Sequence, residues 1–138
     1  MPVSYLARRM GDVAQIYTQH AYMRPIGAAS VFVGIDEEVG PQLFTQDPSG
    51  VALGYKAVAV GAKEQEAMNM FEKRLKGVDS LDTQATINLA ISTLQSTLQM
   101  DVKPSDIEVG IVTVDNPKFR KLDEAAIDAA LIAIAERD

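Results

Sequence analysis

Gly27-Ala-Ala-Ser-Val-Phe-Val-Gly-Ile35, Asp36-Glu-Glu-Val-Gly40, Pro41-Gln-Leu-Phe-Thr-Gln46, Asp47-Pro-Ser-Gly50 and Val51-Ala-Leu-Gly-Tyr-Lys-Ala-Val-Ala-Val60 follow one another without a break. The first piece is short, rich in β-branched residues and apolar on both parities, which is how a strand covered on both faces reads. Asp36 to Gly40 is a turn, and Pro41 to Gln46 is a second strand carrying Leu43 and Phe44. Asp47-Pro-Ser-Gly50 places Asp first, Pro second and Gly fourth, the residues a β-turn favours at those positions. Val51 to Val60 is a third strand. Connections this short join antiparallel neighbours, because parallel strands need a long crossover. The centre of the chain is therefore an antiparallel meander.

Helices lie on either side of it. Val3, Leu6, Met10, Val13, Ile16 and Tyr17 recur at spacings of three and four, and Ala7 and Ala14 widen the stripe. This predicts an amphipathic helix over about 2–20, with Pro2 in its first turn and Arg24-Pro25 ending the segment. After the break at Gly61, a helix is predicted over 62–75, with Ala67, Met68, Phe71 and Leu75 on one face and Gly77 as its stop. Asp82 is the N-cap expected for a helix reaching about Gln99, with Ile87, Ala90, Ile91, Leu94 and Leu98 as its buried stripe. Lys103-Pro104-Ser105 connects to a strand over 107–114. Asn116-Pro117 turns the chain into a short partner strand, Lys118 to Leu122. Asp123 then caps a last helix with Ile127, Leu131 and Ile134 inward. Strands come in runs rather than alternating with helices, which favours α+β. No linker, repeat or low-complexity tract interrupts residues 1–138, so one domain is expected. Four amphipathic helices and four or five strands do not close two layers, and the sheet edges need partners. The pattern reads as a domain with layers missing.

Composition narrows the function classes. The 138 residues are 47% hydrophobic, as in a globular core, and carry a net charge of -6. That balance offers neither nucleic acid nor an anionic membrane a basic footprint. Lys73, Arg74 and Lys76 form the one compact basic cluster, which reads as the solvated end of a helix. The absence of cysteine excludes disulfides, thiolate metal sites and cysteine nucleophiles. No apolar run approaches the ~20 residues a membrane span needs. The charged first helix does not read as a signal peptide, so a soluble intracellular chain is expected.

Few residues offer chemistry. His20 is the single histidine, at a helix end among polar residues, and no Gly-x-Ser-x-Gly turn accompanies it. Gly61-Ala-Lys63 lacks the spaced glycine and the Ser/Thr of a phosphate-binding loop and reads as a strand-to-helix turn. Asp36, Glu37 and Glu38 could face a hard cation, but they lack the alternating oxygen ligands of a calcium loop. A charged, solvated turn is the better account of them. Together with His20 they are the candidate polar groups of an alternative reading, a small α+β enzyme or ligand-binding domain. That reading requires them to converge on a pocket. Met68, Met70 and Phe71 read as core or interface packing rather than a cofactor box.

Tyr5-Leu-Ala-Arg-Arg-Met10, Gln15-Ile-Tyr-Thr-Gln19 and Met23-Arg-Pro25 resemble the second long helix and its exit in α-type subunits of the 20S proteasome. Gly34-Ile-Asp36, Gly40-Pro-Gln42, Asp47-Pro-Ser-Gly50 and Gly54-Tyr-Lys-Ala57 resemble that family's central hairpins. Gly61-Ala-Lys63, Ile107-Glu-Val-Gly110 and Glu136-Arg137 match further along. Lys103-Pro-Ser105, Val114-Asp-Asn-Pro-Lys-Phe-Arg120 and Ala135-Glu-Arg-Asp138 are most similar to the eukaryotic branch at the α1 position, also called α type 6. The resemblance spans essentially all 138 residues.

It implies an antiparallel αββα sandwich of the N-terminal-nucleophile hydrolase type, of which this is the C-terminal half. The family's Tyr-Asp/Phe-Ser-Pro-Gly-Arg signature, and the strands and long helix after it, have no counterpart here. No axial-gate segment is therefore expected. It also implies a non-catalytic part of a threonine-type endopeptidase complex acting in ubiquitin-dependent protein degradation in the cytoplasm and nucleus. The catalytic β subunits use an N-terminal threonine with a lysine and an aspartate, none at positions matched here. They also carry a Gly-Ser-Gly-Ser-like turn where this chain has Gly61-Ala-Lys63. No catalytic, cofactor or metal residue is thus expected, and no cofactor. The implied partners are neighbouring α subunits, the β ring and a regulatory cap. The isolated chain is expected to self-associate through uncovered apolar surface.

Overall fold

The computed structural model describes residues 1–137 as two compact units, one formed by 1–57 with 112–119, the other by 58–111 with 120–137. Helix α1 spans Val3–Gln19, and strands β1 (Ser30–Asp36), β2 (Gly40–Gln46) and β3 (Ala52–Gly54) follow it. Helices α2 (Glu64–Leu75) and α3 (Thr83–Leu98) come next, then a 3-10 turn at Pro104–Asp106. Strands β4 (Gly110–Ile111) and β5 (Arg120–Lys121) and helix α4 (Glu124–Ala135) complete the chain. The mixture of helix and antiparallel strand is the expected α+β class.

In the first unit the strands form an antiparallel sheet in the order β1-β2-β3. The register pairs Val33 with Leu43, and Thr45 with both Val31 and Leu53. The turn at 47–50 forms as its sequence predicts. Gly50 N–H donates to the Asp47 carbonyl at 3.0 Å, and Asp47 Oδ1 accepts from Ser49 N–H at 2.9 Å, Val51 N–H at 3.0 Å and the Ser49 hydroxyl at 2.6 Å. Gly50 closes the turn with φ +97°, a conformation open to glycine and strained for any side chain.

Helix α1 lies against this sheet through small residues. Ala7, Gly11 and Ala14 are its buried positions. A Cβ on Gly11 would overlap the carbonyl oxygen of Gly50, and one on Gly34 would overlap the Val3 side chain. The expected stripe is corrected at its end: Val3, Leu6, Met10 and Val13 are half-buried, but Ile16 and Tyr17 stay exposed. Backbone can approach backbone this closely only where side chains are absent or minimal, so the contact runs along the row of small residues.

The second unit buries Ile87 and Ile91 of α3 against Ala130 and Ile134 of α4, with Ile107, Val109, Ile111, Leu122 and Leu131 packed around them. Both helix starts expected from the sequence form. Asp82 accepts from Ala85 N–H at 2.6 Å and Asp123 from Ala126 N–H at 2.9 Å. Replacing either aspartate by alanine is expected to cost about 1 kcal/mol. Urea unfolding followed by circular dichroism measures this, and the Asn variants should retain most of the lost stability.

Three expectations are corrected. The third strand ends at Gly54 rather than Val60. After Tyr55 N–H bonds the Leu43 carbonyl at 2.9 Å, the chain bends away and leaves the ladder. The strand over 107–114 reduces to Gly110–Ile111, paired with Arg120–Lys121, plus the Leu122 N–H bond to the Val109 carbonyl at 2.8 Å. In both segments the residues favour extended backbone, but a strand must also stay beside its neighbour, and the chain leaves β2 after Gly54 although β2 runs on to Gly40. On α3, Asn88, Thr93 and Thr97 are buried, whereas Ala90, Leu94 and Leu98 face outward.

Candidate functional site

His20 follows the last turn of α1, its N–H on the Ile16 carbonyl at 3.3 Å. Its exposed ring lies 5.5 Å from that of Tyr22, tilted by 56°. In the β1–β2 turn, Asp36 Oδ1 accepts from Glu38 N–H and Val39 N–H, each at 3.0 Å. That carboxylate is spent on its own turn, while Glu37 and Glu38 are exposed. A shallow cavity of about 390 Å³ beside them is walled by Met1, Pro2 and Ile35 and does not include His20. Among the described residues no three of the acidic or histidine side chains gather closely enough to hold a metal ion. The alternative reading thus loses the convergence it requires.

Asp47 is the one described group held clearly away from its ordinary pKa of 3.8, and it is lowered. The Ser49 hydroxyl is the largest cause, followed among the lowering causes by the N–H groups of Val51, Ser49 and Gly50; desolvation acts the other way. A carboxyl lowered by folding adds stability that is fully present above its unfolded pKa. That stability is lost as pH falls through the folded pKa. The turn should therefore hold at neutral pH and loosen only below about pH 4. A carboxyl-detected NMR titration should give Asp47 a midpoint below that of an unfolded aspartate, and Ser49→Ala should raise it.

Lys63 stands where a phosphate loop would aim its lysine, but its Nζ donates to the Thr97 carbonyl at 3.0 Å, capping the end of α3. Gly61 has φ +136° and accepts from Glu64 N–H at 3.3 Å, as a strand-to-helix turn does. The half-buried Met68 and Met70 turn their sulfurs inward: Met68 Sδ accepts from Ala59 N–H at 3.3 Å and Met70 Sδ from the Thr97 hydroxyl at 3.7 Å. Lys73 and Lys76 are exposed. Arg74 is exposed as well, and its Nη1 donates to Ser92 Oγ at 2.8 Å and Thr93 Oγ1 at 3.0 Å.

Arg74 also walls the larger cavity, about 750 Å³, which runs along α3 to the end of α4 and lies wholly within the second unit. Asn88, Ser92, Gln95 and Gln99 face it from α3, Leu131 and Ile134 from α4, and Arg137 from beyond the end of α4. The sequence did not single out this site. Its polar residues recur at helical spacing and look like any solvated helix face; the buried Asn88 alone breaks that pattern.

Sequence comparison places these features in a family. The family model for proteasome subunits matches residues 1–112, and the chain belongs to the proteasome subunit family. It is 44% identical over its whole length to the probable proteasome subunit alpha type-1 of Schizosaccharomyces pombe, covering 57% of that relative. It is 43% identical, again over its whole length, to proteasome subunit alpha type-6 of Caenorhabditis elegans, covering 56%. An archaeal relative, proteasome subunit alpha of Pyrococcus horikoshii, is 39% identical over 94% of the chain and 48% of its own length. The chain thus spans about half the length of the curated relatives it matches. Among the described residues no helix is long and apolar enough to cross a membrane.

Proposed function

We propose that this chain is a non-catalytic structural part of an α-type subunit in the outer ring of a 20S proteasome, where it contributes to assembly of the core particle. The reading rests on the α-type names of the relatives above, and one observation in the structure carries it. The sheet of the first unit is covered by α1 on one face only. Val31 and Val33 on β1 and Leu53 on β3 share the opposite face and stand 50%, 40% and 51% exposed. An isolated domain does not leave an apolar sheet face in water, since each buried side chain of this size is worth about 1.5–3 kcal/mol. A second sheet laid on this face would complete the αββα sandwich of the N-terminal-nucleophile hydrolase type. Leu94 and Leu98 of α3 are uncovered in the same way and would serve a sheet of the second unit.

The two compact units would then be parts of one domain, residues 1–138. Neighbouring α subunits, the β ring and a regulatory cap are the partners, and the cytoplasm and nucleus the compartments. No residue of the chain serves as a catalytic threonine, and none holds a cofactor or a metal.

Affinity capture of the tagged chain from eukaryotic cells tests this. Other proteasome subunits should be recovered with it, at the sedimentation of an assembled particle. Recovery of the chain alone, or with unrelated proteins, would overturn the reading. Light scattering of the purified chain should show self-association, and Val31→Lys with Val33→Lys should suppress it.

A further inference from the structure

We propose that the free edge of β1 is a self-recognition surface, at which two copies of this chain pair antiparallel into one six-stranded sheet. The inference rests on the sheet of the first unit and not on the ring-subunit reading. It is measured on the purified chain, whereas ring entry is measured in cells, so either can fail without the other.

The hydrogen bonds of the sheet fix which backbone groups of β1 point outward. Tyr55 N–H donates to the Leu43 carbonyl at 2.9 Å, and Asp47 N–H to the Val51 carbonyl at 3.1 Å, so the odd-numbered residues of β2 face β3. Alternate residues of an antiparallel strand turn their N–H and C=O groups to opposite neighbours. The even-numbered residues of β2 therefore face β1, where Phe44 meets Phe32 and Gln42 meets Gly34. Val31, Val33 and Ile35 are left with their N–H and C=O groups directed away from the sheet. β1 is the outer strand, and among the described residues no loop, helix or side chain bonds those groups. Met1 and Pro2 stand beside Ile35 without bonding it.

Folded proteins blunt such edges by shortness, lysine, proline or a bulge. The opposite edge is blunted in this way, because β3 has three residues. β1 has seven, carries neither lysine nor proline, and pairs with β2 one residue to one along its whole length.

Only extended backbone satisfies a row of alternating donors and acceptors, and β1 is complementary to itself. With a twofold axis at Val33, Val33 meets Val33 of the second copy, and Val31 meets Ile35 on either side. All three outward residues then form hydrogen-bonded pairs, and the side chains facing each other across the join are β-branched, a favourable match. Charge supports this register. Asp36 is the one charged residue of β1 and falls opposite Ser30 of the second copy, whereas a parallel in-register pair would set two Asp36 carboxylates side by side. Growth stops at the short β3 edges, and a pair so formed has no β1 edge left for any other strand.

Amide hydrogen exchange of the 138-residue chain at rising concentration tests the proposal. Val31, Val33 and Ile35 should gain at least tenfold protection as the chain is concentrated. Phe32 and Gly34, already bonded to β2, should not change. Val33→Pro deletes an outward N–H that β2 does not use, a position where an edge strand tolerates proline. It should abolish the gain at Val31 and Ile35 and leave Phe32 and Gly34 protected. If that variant disturbs the hairpin, Val31→Pro, nearer the start of the strand, should abolish the gain at Val33 and Ile35. The chain has no cysteine, so a single nitroxide label can be placed at will. On Val33→Cys the two labels of a pair sit on residues about 5.5 Å apart and should broaden each other's spectrum. On Leu53→Cys they are five strand spacings apart, at least about 24 Å, and should not. Exchange of Val31, Val33 and Ile35 that ignores concentration would overturn the proposal. So would a gain shared equally by Phe32 and Gly34, or equal broadening at both label sites, which marks two copies packed face to face.

Discussion

Gly11→Val will unfold the helix-on-sheet contact of the first unit. In an ordinary helix interior, replacing glycine by a residue with a Cβ is neutral or gains up to about 1 kcal/mol. Here the sign reverses. The added Cβ would overlap the Gly50 carbonyl oxygen, a backbone atom held by the turn at 47–50, with the Ala52 side chain 3.6 Å away. Backbone cannot rotate aside as a long side chain can. Either α1 lifts from the sheet, uncovering Ala7 and Ala14, or the turn breaks and loses the N–H bonds collected by Asp47. Overpacking of this kind costs about 1–3 kcal/mol, and the branched side chain places this case at the upper end. Hydrogen exchange reads it directly. Amides of β1 and β2 should lose protection at least tenfold in Gly11→Val, and Gly11→Ala should fall between the variant and the parent. Unchanged protection in both variants would show that α1 does not press its small-residue face on the sheet.

Ile91→Ala should be the most damaging single truncation in the second unit. Ile91 is 3% exposed at the centre of the α3–α4 core, touching the group that includes Ile87, Ala130 and Ile134. The change removes buried methyl groups and leaves a void between two helices, at a cost of about 2–5 kcal/mol. Leu94→Ala is the control. Leu94 belongs to the same stripe in the sequence but is 41% exposed, so its truncation should alter the chain's own stability by less than about 1 kcal/mol. The two should exchange rank in an assembled particle. If a sheet covers Leu94 there, Leu94→Ala should weaken incorporation more than it weakens the free chain. Chemical denaturation of the chain and pulse-chase incorporation measure the two quantities separately.

Much of the fold was legible because its signals are local. Asp82 and Asp123 announced the starts of α3 and α4 through a side chain three residues from the amide it caps. Asp47-Pro-Ser-Gly50 announced its turn for the same reason. The candidate site was far less legible. Asn88 became notable only when its neighbours buried it, and Arg74 only when Ser92 and Thr93, far along the chain, received its guanidinium. The acidic turn is the charged turn its sequence favoured over a ligand set: Asp36 accepts the N–H groups of Glu38 and Val39 within it, and Glu37 and Glu38 are exposed.

From its sequence alone the chain determined its helices, its meander, their caps and turns, and the family to which it belongs. The helices, meander, caps and turns follow from side-chain periodicity or from hydrogen bonds between residues a few positions apart, and the family from matched motifs in the same order along the chain. Tertiary structure alone decided which face of each element is covered. Periodicity marks an apolar stripe but not the surface that meets it: α1 settled on Ala7, Gly11 and Ala14, α3 turned Leu94 outward, and the strand from Val51 left its partner after Gly54 although β2 runs on to Gly40. Burial and strand pairing are relations between segments distant in sequence, and their energies exist only once both partners are in place.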